Sequence, residues 1–117
     1  YEETIAYLQS SPAPDVVYCE NDNMCFGVMQ ALDELGIAYG DGGVTLISFD
    51  AGRTALSYCK DGKIDLCAEC NPLHGPRVRA LIEQLARGET PEKLSYMPEA
   101  LFTADTLTAE LLESRVY

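Results

Sequence analysis

Three short apolar runs, each followed by polar residues and then by a helix-forming pattern, organise the chain. They span residues 15–19, 44–49 and 64–68, and the first two are rich in residues that favour strands. After the first run, apolar residues recur on one helical face: Met24, Val28, Ala31, Leu32 and Leu35. Gly36 is placed to end that helix in the left-handed conformation, and a shorter helix is predicted over residues 54–60. Strands alternating with helices predict an α/β fold, a parallel sheet flanked by helices with right-handed crossovers.

The flanking segments supply the remaining predicted elements. Helices are expected over residues 2–9 and 76–87, and short strands over residues 94–97 and 100–103. The helix over 76–87 has a clear apolar face, formed by Val78, Leu81, Ile82 and Leu85. A last helix is predicted to open near Thr103 and Thr106 and to run through Leu112.

Each of the three buried strands is followed by an amide or a carboxylate. Asn21 and Asp22 follow the first strand, Asp50 the second and Glu69 the third. Because parallel strands end at one edge of a sheet, where ligands of open α/β folds bind, these groups should converge. The alternative is helix capping, with Asn21 or Asp22 as the N-cap of the first helix. Capping is the preferred interpretation for Asp22, whereas a ligand role is preferred for Asp50 and Glu69.

Charge and cysteine content narrow the possible functions. The net charge of −11 excludes the basic face that nucleic acid or an anionic membrane would require. Cys67 and Cys70 form a C-x-x-C pair with His74 nearby, but Cys67 lies within a predicted strand, which is unlike a zinc knuckle or a thioredoxin-type helix start. Buried thiols or one disulfide are therefore preferred for the five cysteines over a metal or redox role, and no cofactor is expected.

Three segments in this order resemble a known family. VVYCENDNMCFGVMQALDELGI, TLISFDAG and DGKIDLCAECNPLHGP are similar to the C-terminal part of type 1 periplasmic sugar-binding proteins, closest to the galactofuranose and ribose types. The likeness extends over about residues 1–117. It implies one incomplete α/β lobe of a two-lobe protein that closes on a sugar, as the ligand-capturing component of a bacterial ABC importer. It also implies a transporter permease as partner and a periplasmic or lipid-anchored extracellular location.

The resemblance assigns ligand-binding roles residue by residue. Asn21, Asp50 and Glu69 match positions that contact sugar hydroxyls, although the Glu69 position is glutamine in the ribose type. Asn71 is added to this set, with shaping of the chain crossing as its alternative role. A carboxylate can accept hydrogen bonds from two vicinal hydroxyls, which supplies a physical reason independent of the family. Arg53 lies near Asp50 in the sequence and is expected to form a surface ion pair, with contact to the ligand as the alternative. Three acidic or amide groups without an obligatory basic partner suit a neutral monosaccharide better than an anionic one.

The resemblance also divides the chain. Residues 1–70 are expected in the C-terminal lobe, residues 71–98 in the N-terminal lobe, and residues 99–117 back in the C-terminal lobe. The chain has no initiator methionine and is predicted to be cut from a longer protein. On its own it would expose the apolar face of the helix over residues 76–87, so self-association is expected.

Two other classes of protein remain open at this stage. LacI-type transcription factors carry an effector domain of the same fold, and a DNA-binding segment upstream would identify one. Carboxylates at parallel strand ends also hold Mg²⁺ in phosphotransfer enzymes. That chemistry usually needs a lysine or hydroxyl at a neighbouring strand end, whereas Lys60, Lys63 and Lys93 are predicted at helix ends or strand starts.

Overall fold

The computed structural model describes residues 1–117 and contains five helices and four strands. The helices are α1 (Glu2–Ser10), α2 (Asp22–Leu35), α3 (Arg53–Lys60), α4 (Gly75–Ala86) and α5 (Ala109–Ser114). The strands are β1 (Val16–Tyr18), β2 (Thr45–Asp50), β3 (Leu66–Glu69) and β4 (Leu101–Phe102). No helix is both long and apolar enough to cross a membrane.

The strands form one sheet in the order β1-β2-β3-β4. The first three strands are parallel, as predicted, and β4 joins the far edge antiparallel to β3. In the register of β2 and β3, Asp50 lies directly opposite Glu69. The predicted α/β fold with a parallel sheet is therefore confirmed, and two of the polar strand ends meet as neighbours at its carboxyl edge.

Helix α2, which follows β1, begins and ends at residues that the sequence marks as caps. Asn21 is extended, and its side chain accepts a hydrogen bond from the backbone N–H of Met24, so Asn21 is the N-cap of α2. Gly36 ends the helix with φ of +65°, a conformation that glycine adopts without strain. The prediction for Gly36 is confirmed, whereas the prediction that Asp22 serves as a cap is wrong.

The core lies where α2 and α3 pack on the sheet. Its largest fully buried side chains are Leu32, Leu46, Leu56, Ile64 and Leu107. Four of the five cysteines are also buried, and none forms a disulfide. Buried thiols are therefore the correct interpretation for four of them, the alternative of one disulfide is wrong, and only Cys70 is exposed.

The segment around α4 stands apart from this core. No residue of α4 is buried, and Val78 and Ile82 are 50% and 59% exposed. The radius of gyration is 18.2 Å, compared with about 13 Å for a compact domain of this length. The chain is thus an α/β body with an extended projection.

Two elements at the end of the chain differ from the prediction. No strand forms at residues 94–97, because this stretch has no neighbouring strand and Arg77 donates a hydrogen bond to Ser95 instead. The last helix begins at Ala109, later than predicted, with Thr108 as its N-cap. Thr106 does not start it, because its hydroxyl bonds to the backbone of Thr103 and closes a separate turn.

Candidate functional site

The turn after β2 is held in an uncommon backbone conformation. Asp50 and Ala51 have φ of +95° and +58°, although neither is glycine. Such conformations cost roughly 1–3 kcal/mol per residue and persist only where neighbouring structure holds them. The carboxylate of Asp50 is exposed and has no hydrogen-bond or ion-pair partner within the chain. The turn therefore offers a free carboxylate at the sheet edge.

Hydrogen bonds to Asp22 connect this turn to α2. Asp22 is the first helical residue of α2 and buried; its Oδ2 accepts from Gly52 N at 2.8 Å and its Oδ1 from the Ser48 hydroxyl at 2.6 Å. Burial raises the pKa of the Asp22 carboxyl, and the charge of Asp50 adds to this, while the bonds from Ser48 and Gly52 lower it in part. Asp22 thus joins α2 to the end of β2 instead of capping its own helix.

The side-chain amide of Asn21 has a hydrogen bond at its oxygen but none at its nitrogen. Its Oδ1 accepts from Met24 N at 2.8 Å, which fixes the orientation of the side chain. Its Nδ2 has no acceptor within the chain. Because Asp22, the next residue, bonds to the turn after β2, Asn21 lies at the same edge of the sheet. Its free N–H groups can donate to a ligand.

Glu69 is already engaged by the chain. Its Oε1 accepts from Arg115 Nη1 at 2.7 Å and from the Tyr117 hydroxyl at 2.5 Å, and its Oε2 accepts from Ala100 N at 3.0 Å. A carboxylate offers about four acceptor sites, so one remains for a ligand. Burial by itself would raise the pKa of Glu69, but the bonds from Tyr117 and Arg115 and the charge of Arg115 outweigh it, and the pKa is lowered.

Arg115 is the residue that the sequence did not reveal. Its Nη2 and Nε donate to the carbonyl of Ala51 at 2.7 and 3.0 Å, while its Nη1 pairs with Glu69. The guanidinium also lies 4.1 Å from the centre of the Tyr117 ring. The expectation of a site without a basic partner is therefore wrong for Glu69. Arg115 is 46 residues away in sequence, and no local motif marks it.

Arg53 forms hydrogen bonds to residues 113–117, the segment that contains Arg115 and is called the tail below. Its side chain donates to the carbonyls of Arg115 and Glu113, and its backbone N donates to the carbonyl of Tyr117 at 2.8 Å. The predicted surface ion pair is wrong, because backbone carbonyls of the tail occupy the guanidinium. Residues 113–117 are thus tied to the start of α3.

Asn71 closes a short turn. Its Oδ1 accepts from Leu73 N at 2.9 Å, the pattern of an Asx turn, and its own N donates to Glu99 at 3.1 Å. These bonds fit its alternative role, which is to shape the departure of the chain from β3.

Two cavities flank the tail at the carboxyl edge. One of about 350 Å³ is lined by residues that include Asp22, Asp50 and Arg53. The other, of about 200 Å³, is lined by residues that include Glu69, Asn71 and Arg115. Tyr117 lines both cavities. A third cavity of about 390 Å³ between α1 and β1 is mostly apolar and contains none of the predicted ligand residues.

This α/β sheet with flanking helices, which carries an amide and two carboxylates at its carboxyl edge, has the fold of a partial lobe of a type 1 periplasmic binding protein. The chain is 31% identical over 83 residues to the fructose import binding protein FruE of Bifidobacterium longum, covering 71% of this chain and 24% of that relative. It is 33% identical over 97 residues to the galactofuranose-binding protein YtfQ of Escherichia coli, covering 82% of this chain and 30% of that relative.

A solved structure gives the same result. A Mycobacterium smegmatis protein in complex with β-D-fucofuranose superposes with a TM-score of 0.79 at 31% identity, covering 89% of this chain and 34% of that one. No protein-family model matches the sequence. The predicted resemblance to type 1 periplasmic sugar-binding proteins is confirmed, and the chain spans about a quarter to a third of these proteins. Neither the regulator nor the phosphotransfer alternative is favoured by these relatives.

Proposed function

We propose that this chain supplies part of the binding site for a neutral monosaccharide in the substrate-binding component of an ABC importer, and that it catalyses no reaction. The observation that supports this is the strand register, which places Asp50 of β2 opposite Glu69 of β3 at the edge of the sheet where Asn21 precedes α2. These groups accept and donate hydrogen bonds in the combination that sugar hydroxyls require. The named sugars of the relatives support the ligand class.

The three groups have different capacities. The carboxylate of Asp50 is free and can accept from two vicinal hydroxyls, whereas Glu69 has one acceptor site left. The Nδ2 of Asn21 can donate to a hydroxyl oxygen. Asp50 is therefore the principal anchor of the sugar, Asn21 fixes an acceptor oxygen, and Glu69 adds one bond. Asn71 borders the smaller cavity and is assigned a secondary contact.

The whole protein is proposed to have two lobes. We assign residues 1–70 and 99–117 to one lobe and residues 71–98 to the other lobe of a two-lobe protein. The exposed apolar face of α4 supports this division, because a second lobe would cover it. The proposed partner is the transporter permease, and the proposed location is the periplasm or, with a lipid anchor, the outer cell surface.

The test is a calorimetric titration of the full-length protein with fructose, galactose, arabinose, ribose and fucose. At least one of them is expected to bind. Asp50→Ala removes up to two charged hydrogen bonds of about 1.5–3 kcal/mol each, so affinity should fall by about a hundredfold or more. Asp105→Ala, an exposed aspartate away from the edge, should not change it. Binding that is equal in wild type, Asp50→Ala and Glu69→Ala would refute the assignment.

A further inference from the structure

The tail of the chain crosses the edge of the sheet where the proposed site lies. Arg53 holds it through the carbonyls of Glu113, Arg115 and Tyr117. Tyr117 lines both cavities of that edge. The tail is thus built into the site rather than lying beside it.

Within the tail, Arg115 connects two strand ends that no other side chain joins. One side of its guanidinium donates twice to the carbonyl of Ala51, in the turn after β2, and the other side pairs with Glu69 at the end of β3. Both charged side chains are nearly enclosed, with 11% of Arg115 and 9% of Glu69 exposed. The planar fork of arginine can make these bonds at once, which a lysine cannot do.

We propose that Arg115 is a positioning residue of the sugar site, which fixes the Asp50–Ala51 turn and the Glu69 carboxylate in one geometry. The proposal rests on the proposed function. Ala51 lies directly after Asp50, and the bonds to its carbonyl hold the Ala51–Gly52 peptide, so they restrain the turn that carries Asp50. The same guanidinium and the Tyr117 hydroxyl occupy Oε1 of Glu69, which restricts the acceptor site left for a ligand.

A purely structural ion pair would stabilise the chain and lower the pKa of Glu69 without affecting sugar affinity, so affinity is the measurement that separates the two roles. The charged and titratable groups around Glu69 are Arg115 and Tyr117 from the tail, Asp50 from β2 and Glu99 from the segment before β4. Arg115 is the only cation among them. Its removal should therefore leave a buried carboxylate among acidic neighbours, and Glu69 should take up a proton at a higher pH.

The first experiment follows the side-chain carboxyl of Glu69 by carbon NMR during a pH titration of the 117-residue chain. In Arg115→Met the midpoint should rise by about one pH unit or more relative to wild type. Arg79→Met, which removes an exposed arginine paired within α4, should leave the midpoint unchanged. If Arg115→Met does not fold, Arg115→Lys serves instead, since it keeps the charge but cannot make all the bonds of the guanidinium and should raise the midpoint less. An unchanged midpoint in the variant that folds would overturn the proposal.

The second experiment measures sugar affinity of the full-length protein at about pH 7 and about pH 5. Arg115→Met should weaken binding about tenfold at the higher pH, as expected for one misdirected hydrogen bond, and further at the lower pH. Arg115→Lys should recover part of the affinity. Adding Glu69→Gln to Arg115→Met should abolish the extra loss at low pH, because glutamine does not titrate.

The two hypotheses fail in different ways. A wild-type protein that binds none of the sugars refutes the proposed function, while the NMR titration still reports on Arg115. A wild-type protein that binds a sugar, together with an Arg115→Met variant of equal affinity at both pH values, refutes the positioning role and leaves the function intact.

Discussion

Asp22 provides the sharpest test of how the site is held in place. Replacing it by alanine removes a buried carboxylate that joins α2, β2 and the turn before α3. The Ser48 hydroxyl, which is fully buried, and the N–H of Gly52 both lose their acceptor. The perturbation therefore leaves two polar groups unpaired beneath the Asp50–Ala51 turn.

The magnitude follows from those two groups. A buried polar group without a partner costs about 1–3 kcal/mol, and Gly52, which is only partly buried, falls near the lower end. Removing the carboxylate also removes the free-energy cost of desolvating it, which offsets part of the loss. A net decrease of about 2–4 kcal/mol in the free energy of unfolding is expected for Asp22→Ala. Asp22→Asn keeps the shape and one acceptor oxygen, so it should cost about half as much.

The pH dependence has a defined sign. Burial raises the pKa of Asp22 in the folded chain, so the folded state binds its proton more tightly than the unfolded state does. The contribution of Asp22 to stability is therefore greatest at low pH and decreases as pH rises above the usual aspartate pKa. The difference in stability between wild type and Asp22→Asn should shrink over the same interval.

The assay is urea denaturation followed by far-ultraviolet circular dichroism at several pH values. Asp105→Ala, an exposed aspartate without a hydrogen-bonded side chain, is the matched control and should change stability by less than about 0.5 kcal/mol. If Asp22→Ala behaved like this control, Asp22 would not support the turn. If the difference between wild type and Asp22→Asn grew with rising pH, the assigned direction of its pKa shift would be wrong.

Three further predictions concern other parts of the chain. The isolated chain should self-associate through α4, so Ile82→Glu should reduce its mass in analytical ultracentrifugation while Glu83→Gln does not, and a wild-type monomer at high concentration would contradict this. A thiol reagent should modify Cys70 quickly and the four buried cysteines only after unfolding; several fast thiols would contradict the burial pattern. Glu69→Ala should destabilise the chain by about 3–5 kcal/mol in denaturation, because it leaves Arg115 buried without its counter-ion; a loss below about 1 kcal/mol would contradict an enclosed pair.

The fold could be predicted from the sequence because its signals are local. Each strand of the parallel part of the sheet is a short apolar run, and α2 has an N-cap, an apolar face and a terminating glycine within 16 residues of chain. The expectation that the first strand is buried is wrong, because β1 lies at the edge of the sheet with Val16 and Tyr18 exposed. The failures occur where local signals are weak. Residues 94–97 look like a strand but have no strand beside them, and strand pairing depends on a partner that pattern alone does not supply.

The site was predictable only in part for a similar reason. The meeting of Asp50 and Glu69 follows from parallel topology, since consecutive strands that end in polar residues bring those residues to one edge. The partners of their side chains come from far along the chain. Arg115 and Tyr117 reach Glu69 across more than 40 residues, and neither lies in a motif that marks it.

Asp22 and Asn21 show why adjacent polar residues cannot be assigned by type alone. Either side chain can cap a helix, and the outcome depends on backbone position: the extended residue before the first turn caps, and the first helical residue is free to face the sheet. A one-residue difference in the start of α2 therefore exchanges the two roles. The capping bond leaves the N–H groups of Asn21 available to a ligand, while Asp22 is committed to Ser48 and Gly52. Asn21 therefore caps α2 and keeps its side-chain N–H groups free, while Asp22 supports the strained turn that carries Asp50.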